Sequence, residues 1–215
     1  MGAMKRPAWT YDFLSREPYT YAVINKYIPA ESFASFINSQ IFHDFGWNDV
    51  EWLLGEWDGP AAIKGVIRPD DAIHAVKTGF STVWVSNHGG RQLETSPATI
   101  DVLPSIREAV GPSVEVIMDG GVQRGTDIAK ALALGADSVG VGKCYLYGLA
   151  AGGTEGVVKA LQVLTDELDR TMRLLGTHSV EQLKREGPSL INRRQSSVRD
   201  PDNCAQERGY GGGII

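Results

Sequence analysis

Cysteine is nearly missing from this sequence. Cys144 and Cys204 are the only two, too few for a disulfide framework and without the spacing of metal ligands. With no signal-peptide pattern at the N terminus, that scarcity points to a reducing, cytoplasmic setting and to no resident metal. Long apolar runs are missing as well. Stretches such as Val83–Val85 fall far short of the roughly 18 residues of a membrane span. An excess of basic charge is also absent: the net charge is −5, which argues against nucleic-acid binding driven by bulk positive charge. What remains is a well-mixed chain of 215 residues, 42% hydrophobic and 22% charged, with the composition of an ordinary globular protein.

Met1–Met4 reads as an expression scar, and residues 5–60 as an N-terminal arm carrying two short helices. The arm is aromatic but aperiodic from Lys5 to about Ile28. Helices are expected at Ala30–Phe42 and Asn48–Trp57, where apolar residues recur at spacings of three and four. From residue 61 to 183 the texture becomes a regular alternation. Strands are expected at Ala61–Val66, Thr82–Ser86, Val114–Met118 and Ser138–Val141. Between them, Pro69 at a helix N1 position, Ser96-Pro97 as a cap pair and Gly79, Gly111 and Gly135 as stops delimit three helices. Thr154–Leu175 carries the cleanest helical period, and Ser179 with Gln182 forms a capping box for one more helix. Residues 184–215 read as an irregular tail.

Successive strand–helix units imply parallel strands with right-handed crossovers, in either a doubly wound sheet or a barrel. The unusual residues favour the barrel. Every strand delivers polar or glycine residues at its C-terminal end: Lys64; Ser86, Asn87, His88 and Arg91; Asp119–Gly121; Gly142 and Lys143. A barrel gathers those ends on one face, where its active site lies.

His88 is placed after a strand beside two glycines, with Arg91 three residues on. An imidazole that titrates near neutrality and a guanidinium fork suit a substrate that carries a carboxylate and loses a proton nearby. The plainer alternative is a loop histidine and a surface arginine. Lys64 ends a strand that should be buried on both faces, so it either snorkels out or offers charge to an anionic or electron-accepting ligand. The run Asp119-Gly120-Gly121-Val122-Gln123-Arg124-Gly125, directly before a helix, and Gly142-Lys143 one strand later offer backbone amides to an anion such as phosphate.

The segments KGV (Lys64–Val66), SNHGGRQLE (Ser86–Glu94), PATID (Pro97–Asp101), DGGVQRGTDIAKALALGAD (Asp119–Asp137) and LYGLA (Leu146–Ala150) resemble the FMN-dependent 2-hydroxy-acid dehydrogenases and oxidases. That family includes L-lactate dehydrogenase, glycolate oxidase and mandelate dehydrogenase. INSQ, WNDVEWL and EWDGP within Ser35–Pro60 look most like its bacterial L-lactate dehydrogenase branch. The resemblance implies FMN as cofactor and a small L-2-hydroxy acid, oxidised to the 2-keto acid, as substrate. It implies His88 as the base, Arg91 as the carboxylate holder and Lys64 beside the flavin N1/O2 edge. Ser86 would bond the ring; Asp119, Gly120, Gly121, Gln123, Arg124, Gly142 and Lys143 would hold the ribityl phosphate. Two departures stand out. The family has Arg-Arg where this chain has Gln123-Arg124, and Gly-Arg-Pro where it has Gly142-Lys143-Cys144.

Four βα units are half of a (β/α)8 barrel, which needs about 250 residues. The expected fold class is therefore α/β, the C-terminal half of such a barrel with extra N-terminal helices. Open sheet edges imply self-association. Two alternatives stand beside the oxidoreductase: a non-catalytic half-barrel relic that self-assembles and binds flavin weakly or not at all, and a half-barrel acting on a sugar phosphate.

Overall fold

The computed structural model describes residues 7–16 and 44–191. The chain divides into two compact units, residues 1–52 and 53–215. The expected helix over residues 30–42 and the tail beyond residue 191 lie outside the described residues.

In the first unit, α1 (Pro7–Ser15) forms where the sequence reads as irregular. Trp9 and Phe13, one turn apart, stack with ring centroids 5.2 Å apart, and Arg16 pairs with Asp12 at 2.8 Å. None of its residues is buried, so its aromatics have no core-facing stripe to follow. The helix α2 (Trp47–Gly55) begins within this unit, with the Gly46 amide donating to Asp49 Oδ2 at 2.8 Å.

The second unit alternates as expected. It runs β1 (Ala62–Val66), α3 (Pro69–Thr78), β2 (Thr82–Val85), a 3-10 turn (His88–Gly90), α4 (Thr99–Val110), β3 (Glu115–Met118), α5 (Gly125–Ala133) and β4 (Ser138–Val139). Two helices, α6 (Lys143–Leu174) and α7 (Val180–Leu190), follow. The strands form one parallel sheet in the order β1-β2-β3-β4. A doubly wound sheet reverses its strand order at a switch point; this one advances without reversal, as a barrel does. Between Lys64 and Val66 the register shifts at Gly65, whose φ of 102° only glycine adopts readily.

One face of the sheet is apolar because alternate strand residues point to it. Val66, Val83, Val85, Val116 and Met118 pack there against Ala72, Leu103, Ile106 and Ala131 from the helices. Each large side chain buried in this way stabilises the fold by about 1.5–3 kcal/mol. A second cluster joins Ala129, Leu132 and Ala133 of α5 to Leu183 of α7, with Leu168, Met172 and Leu175 packed against it. Those last three belong to the helical repeat expected for residues 154–175.

The structure corrects three expected boundaries. α4 starts at Thr99, not at Pro97, because the Pro97 carbonyl accepts from Asn87 Nδ2 at 3.1 Å and Ala98 stays extended. α6 starts at Lys143, eleven residues before its periodic part, and is broken at Gly152 and Gly153. The two segments cross where a Cβ on Gly148 would lie 2.4 Å from the Gly156 carbonyl oxygen, so only glycine fits. α7 runs on to Leu190, through residues read as tail, because Gly187 brings the helix against Ala133; a Cβ there would meet Ala133 Cβ at 2.3 Å.

At the N-terminal ends of β3 and β4, Arg107 ties the loops together. Its guanidinium donates to the carbonyls of Gly135, Gly111 and Val114 at 2.7, 2.7 and 2.8 Å and pairs with Asp137, which also binds Lys184. A cavity of about 390 Å³ opens here, lined by Arg107, Glu108, Asp137 and Lys184 among others. It sits at the opposite end of the strands from the residues expected to carry chemistry. No described helix is long and apolar enough to cross a membrane.

Candidate active site

The face of the sheet turned away from the helices is built from the other set of alternating residues. Lys64, Trp84 and Ile117 lie side by side across β1, β2 and β3. Where the strands end, Lys64, Ser86 and Asp119 meet. Lys64 Nζ pairs with Asp119 and donates to Ser86 Oγ at 3.1 Å; Ser86 Oγ donates to Asp119 Oδ1 at 2.5 Å. The His88 amide donates to the same Ser86 oxygen at 3.2 Å. Ser86 is only 3% exposed, so its hydroxyl is a fixed junction between three strand ends.

The loop after β2 is held by Asn87. Its Oδ1 accepts from the Gly89 amide at 3.0 Å while its Nδ2 reaches Pro97. Within that turn His88 has φ 57°, the sole positive φ outside glycine among the described residues. The left-handed conformation costs about 1–2 kcal/mol for a residue with a Cβ. Such strain clusters where a side chain must be aimed. His88 is exposed, and its imidazole has no hydrogen-bond partner among the described residues. Arg91 is also exposed and pairs with none of them.

Gly120 and Gly121 follow Asp119 with φ of 96° and 76°. A Cβ on Gly120 would meet Asn87 Oδ1 at 3.0 Å and Thr99 Oγ1 at 3.1 Å, whereas Gly121 faces open space. Thr99 Oγ1 donates to the Asp119 carbonyl at 2.6 Å and fixes that turn. Lys143, past β4, brings its Nζ within 3.9 Å of where a Cβ on Gly89 would stand, so the loops after β2 and β4 approach each other.

The head of α5 departs from expectation. The amides of Gln123 and Arg124 both donate to Asp127 Oδ2 at 3.1 Å, and the Gly125 amide donates to Glu167 Oε2 at 2.9 Å. Carboxylates already occupy the donors that a phosphate at this helix terminus would use. What is left for an anion is the exposed Arg124 side chain, the Gly120-Gly121 backbone, Gly142 and Lys143.

Sequence reasoning gave no role to Asn87, Thr99 or Trp84. Asn87 and Thr99 stand inside the motif segments, and their signal was a polar residue at a strand end and at a helix start. Trp84 left no such signal, since an aromatic in a strand reads as core. Its ring lies beneath Lys64, with Nζ 4.3 Å from the centroid. No group of described residues is arranged to hold a metal ion.

Comparison with known proteins bears on the family and the fold. The family described as FMN-dependent dehydrogenase matches residues 1–190. Pre-mycofactocin synthase of Mycolicibacterium smegmatis is 51% identical over 137 residues, covering 64% of this chain and 34% of that protein. L-lactate dehydrogenase of Xanthomonas oryzae pv. oryzae is 34% identical over 204 residues, covering 93% and 53%. The crystal structure of the monotopic membrane protein (S)-mandelate dehydrogenase superposes with a TM-score of 0.75 at 33% identity, covering 84% of this chain and 48% of that one. The chain thus spans about half the length of these proteins or less, and its fold is the corresponding part of their α/β barrel. On the motifs, the strand order and these matches together, the chain belongs to the FMN-dependent dehydrogenase family, within the FMN-dependent 2-hydroxy-acid oxidoreductases.

Proposed function

We propose that this chain supplies the base, the carboxylate-binding group and the flavin-side lysine for oxidation of a small L-2-hydroxy acid, such as L-lactate, to its 2-keto acid. The observation that carries the reading is His88, held in a left-handed turn beside the Lys64–Ser86–Asp119 junction at the C-terminal edge of the sheet. FMN fits the residues present: open glycine backbone at Gly121 and Gly142, cations at Arg124 and Lys143 for a phosphate, and an ammonium at Lys64 for an electron-rich ring. When bound, FMN supplies two-electron acceptance; the protein supplies position and charge.

In this reading Arg91 receives the substrate carboxylate in a bidentate contact, and His88 takes the hydroxyl proton at an imidazole nitrogen. Lys64 stabilises negative charge developing on the acceptor. Ser86 and Asp119 hold Lys64 in place, and Asn87 holds the turn that aims His88. His88→Ala is expected to abolish anaerobic bleaching of flavin absorbance by L-lactate while leaving the FMN dissociation constant within about twofold. Bleaching at the unmodified rate refutes the role.

Pre-mycofactocin synthase, at the higher identity, favours a second substrate reading, in which the reaction belongs to the formation of pre-mycofactocin. Arg91 weighs toward a free carboxylate. Flavin bleaching tested with L-lactate, glycolate and L-mandelate separates the two, since failure with all three favours the second. The non-catalytic reading gains support from His88, whose imidazole has no orienting partner among the described residues. Purified chain that stays colourless after incubation with FMN and removal of the unbound cofactor overturns the cofactor reading.

The partner proposed is a second copy of this chain. β1 and β4 each pair on one side only among the described residues, and Tyr145, Leu146, Tyr147 and Leu149 at the head of α6 are exposed. A cytoplasmic setting, supported by the scarcity of cysteine, completes the reading; recovery of the chain in the membrane fraction of lysed cells overturns it.

A further inference from the structure

We propose that Trp84 is a positioning residue, whose indole face holds the Lys64 ammonium at the mouth of the site. The inference rests on the role given to Lys64 above and extends it to a residue that no motif contains.

Trp84 stands in mid-strand on the polar face of the sheet, opposite Lys64 in the ladder. Its ring reaches across the sheet: Lys64 Nζ is 4.3 Å from the ring centroid, and a Cβ on Gly140, beyond β4, would lie 3.3 Å from Cζ2. The indole therefore forms a floor from the first strand to the end of the last. Above it, Asp119 and Ser86 draw the ammonium toward the strand ends, and from below the ring restrains it.

The polar handle of this side chain is unused. Trp84 Nε1 is buried and has no hydrogen-bond partner among the described residues. A buried indole N–H normally finds an acceptor, and leaving it without one is unfavourable. Phenylalanine would fill much of the space without that penalty. What tryptophan offers in return is the most electron-rich ring face for a cation. A merely space-filling role predicts that any large apolar side chain serves as well.

The test compares Trp84→Phe and Trp84→Leu in the full chain, with Lys64→Met as reference. In flavin-free protein, acylation of Lys64 by an amine-reactive ester is followed by peptide mass spectrometry. Trp84→Leu is expected to raise the Lys64 labelling rate about two- to fivefold, the range of a partly exposed cation–π contact, and Trp84→Phe to raise it less. Equal labelling in the original chain and both variants overturns the proposal.

With FMN added, Trp84→Leu is expected to weaken binding by about the same factor, read from quenching of flavin fluorescence. It should have no further effect in the Lys64→Met background. An undiminished effect in that background makes Trp84 a packing residue only and also overturns the proposal. If the original chain takes up no FMN, the cofactor reading fails, while the labelling experiment still decides the role of Trp84. If Trp84→Leu does not fold, Trp84→Phe decides: unchanged Lys64 labelling beside an unchanged thermal midpoint counts against the ring.

Discussion

Ser86 shows how much one hydroxyl can organise. It receives hydrogen bonds from the Lys64 ammonium and the His88 amide, and gives one to Asp119, so one cation, one carboxylate and the turn that carries His88 share an anchor. Ser86→Ala leaves those groups short of a partner in a buried place, and we expect a loss of about 1–3 kcal/mol in urea unfolding. The same variant should weaken FMN binding, because Lys64 and Asp119 lose their common reference. At this scale the sequence was legible where a residue is chemically out of place. A lysine in a parallel strand, a histidine between a strand and two glycines, and a carboxylate before a double glycine all announce themselves. Trp84 does not, because its chemistry depends on which face of β2 it takes and on what stands above it. Nor did Asp127 and Glu167, whose occupation of the amides at the head of α5 is a matter of rotamer and tertiary approach.

Among the elements, the helices also hold the strands in place from the end opposite the site. Arg107 of α4 satisfies three loop carbonyls and Asp137 at once, and Arg107→Ala should cost about 2–3 kcal/mol, read from thermal or urea unfolding. Asp137 adds a pH dependence. Burial pushes its carboxyl upward, but the Lys184 hydrogen bond, the Val116 amide and the charges of Arg107 and Lys184 outweigh that and hold it below the ordinary carboxylate value. A group lowered in the folded state contributes stability that is complete above its unfolded value of about 4 and is lost as pH falls through the lower folded value. Asp137→Asn should therefore lower the urea midpoint at neutral pH and flatten its decline below about pH 4. Helix existence was readable from period and stops, whereas helix limits were not. α7 extends past Gly187 because a close approach to α5 rewards a glycine there, and Gly187→Ala should destabilise by about 1–3 kcal/mol through overpacking, read as a lowered melting midpoint.

For the whole molecule, strand order was the legible quantity. Three crossovers of one hand leave few topologies, and the placement of polar residues at strand ends chose the barrel type, which the unreversed order of the sheet bears out. What lies along the edges of β1 and β4 that stay unpaired among the described residues could not be read, because pairing across an edge depends on residues distant in the chain or in another molecule. Size-exclusion chromatography with light scattering at micromolar concentration is expected to give at least the mass of two chains; a stable single-chain mass sinks the proposed pairing. β4 consists of Ser138 and Val139 alone, so its edge offers a neighbouring strand only about two rungs of backbone hydrogen bonding. A dimer joined there must draw most of its free energy from water released by Tyr145, Leu146, Tyr147 and Leu149. Such a joint carries a negative heat-capacity change, responds little to salt, and loosens when the solution is chilled.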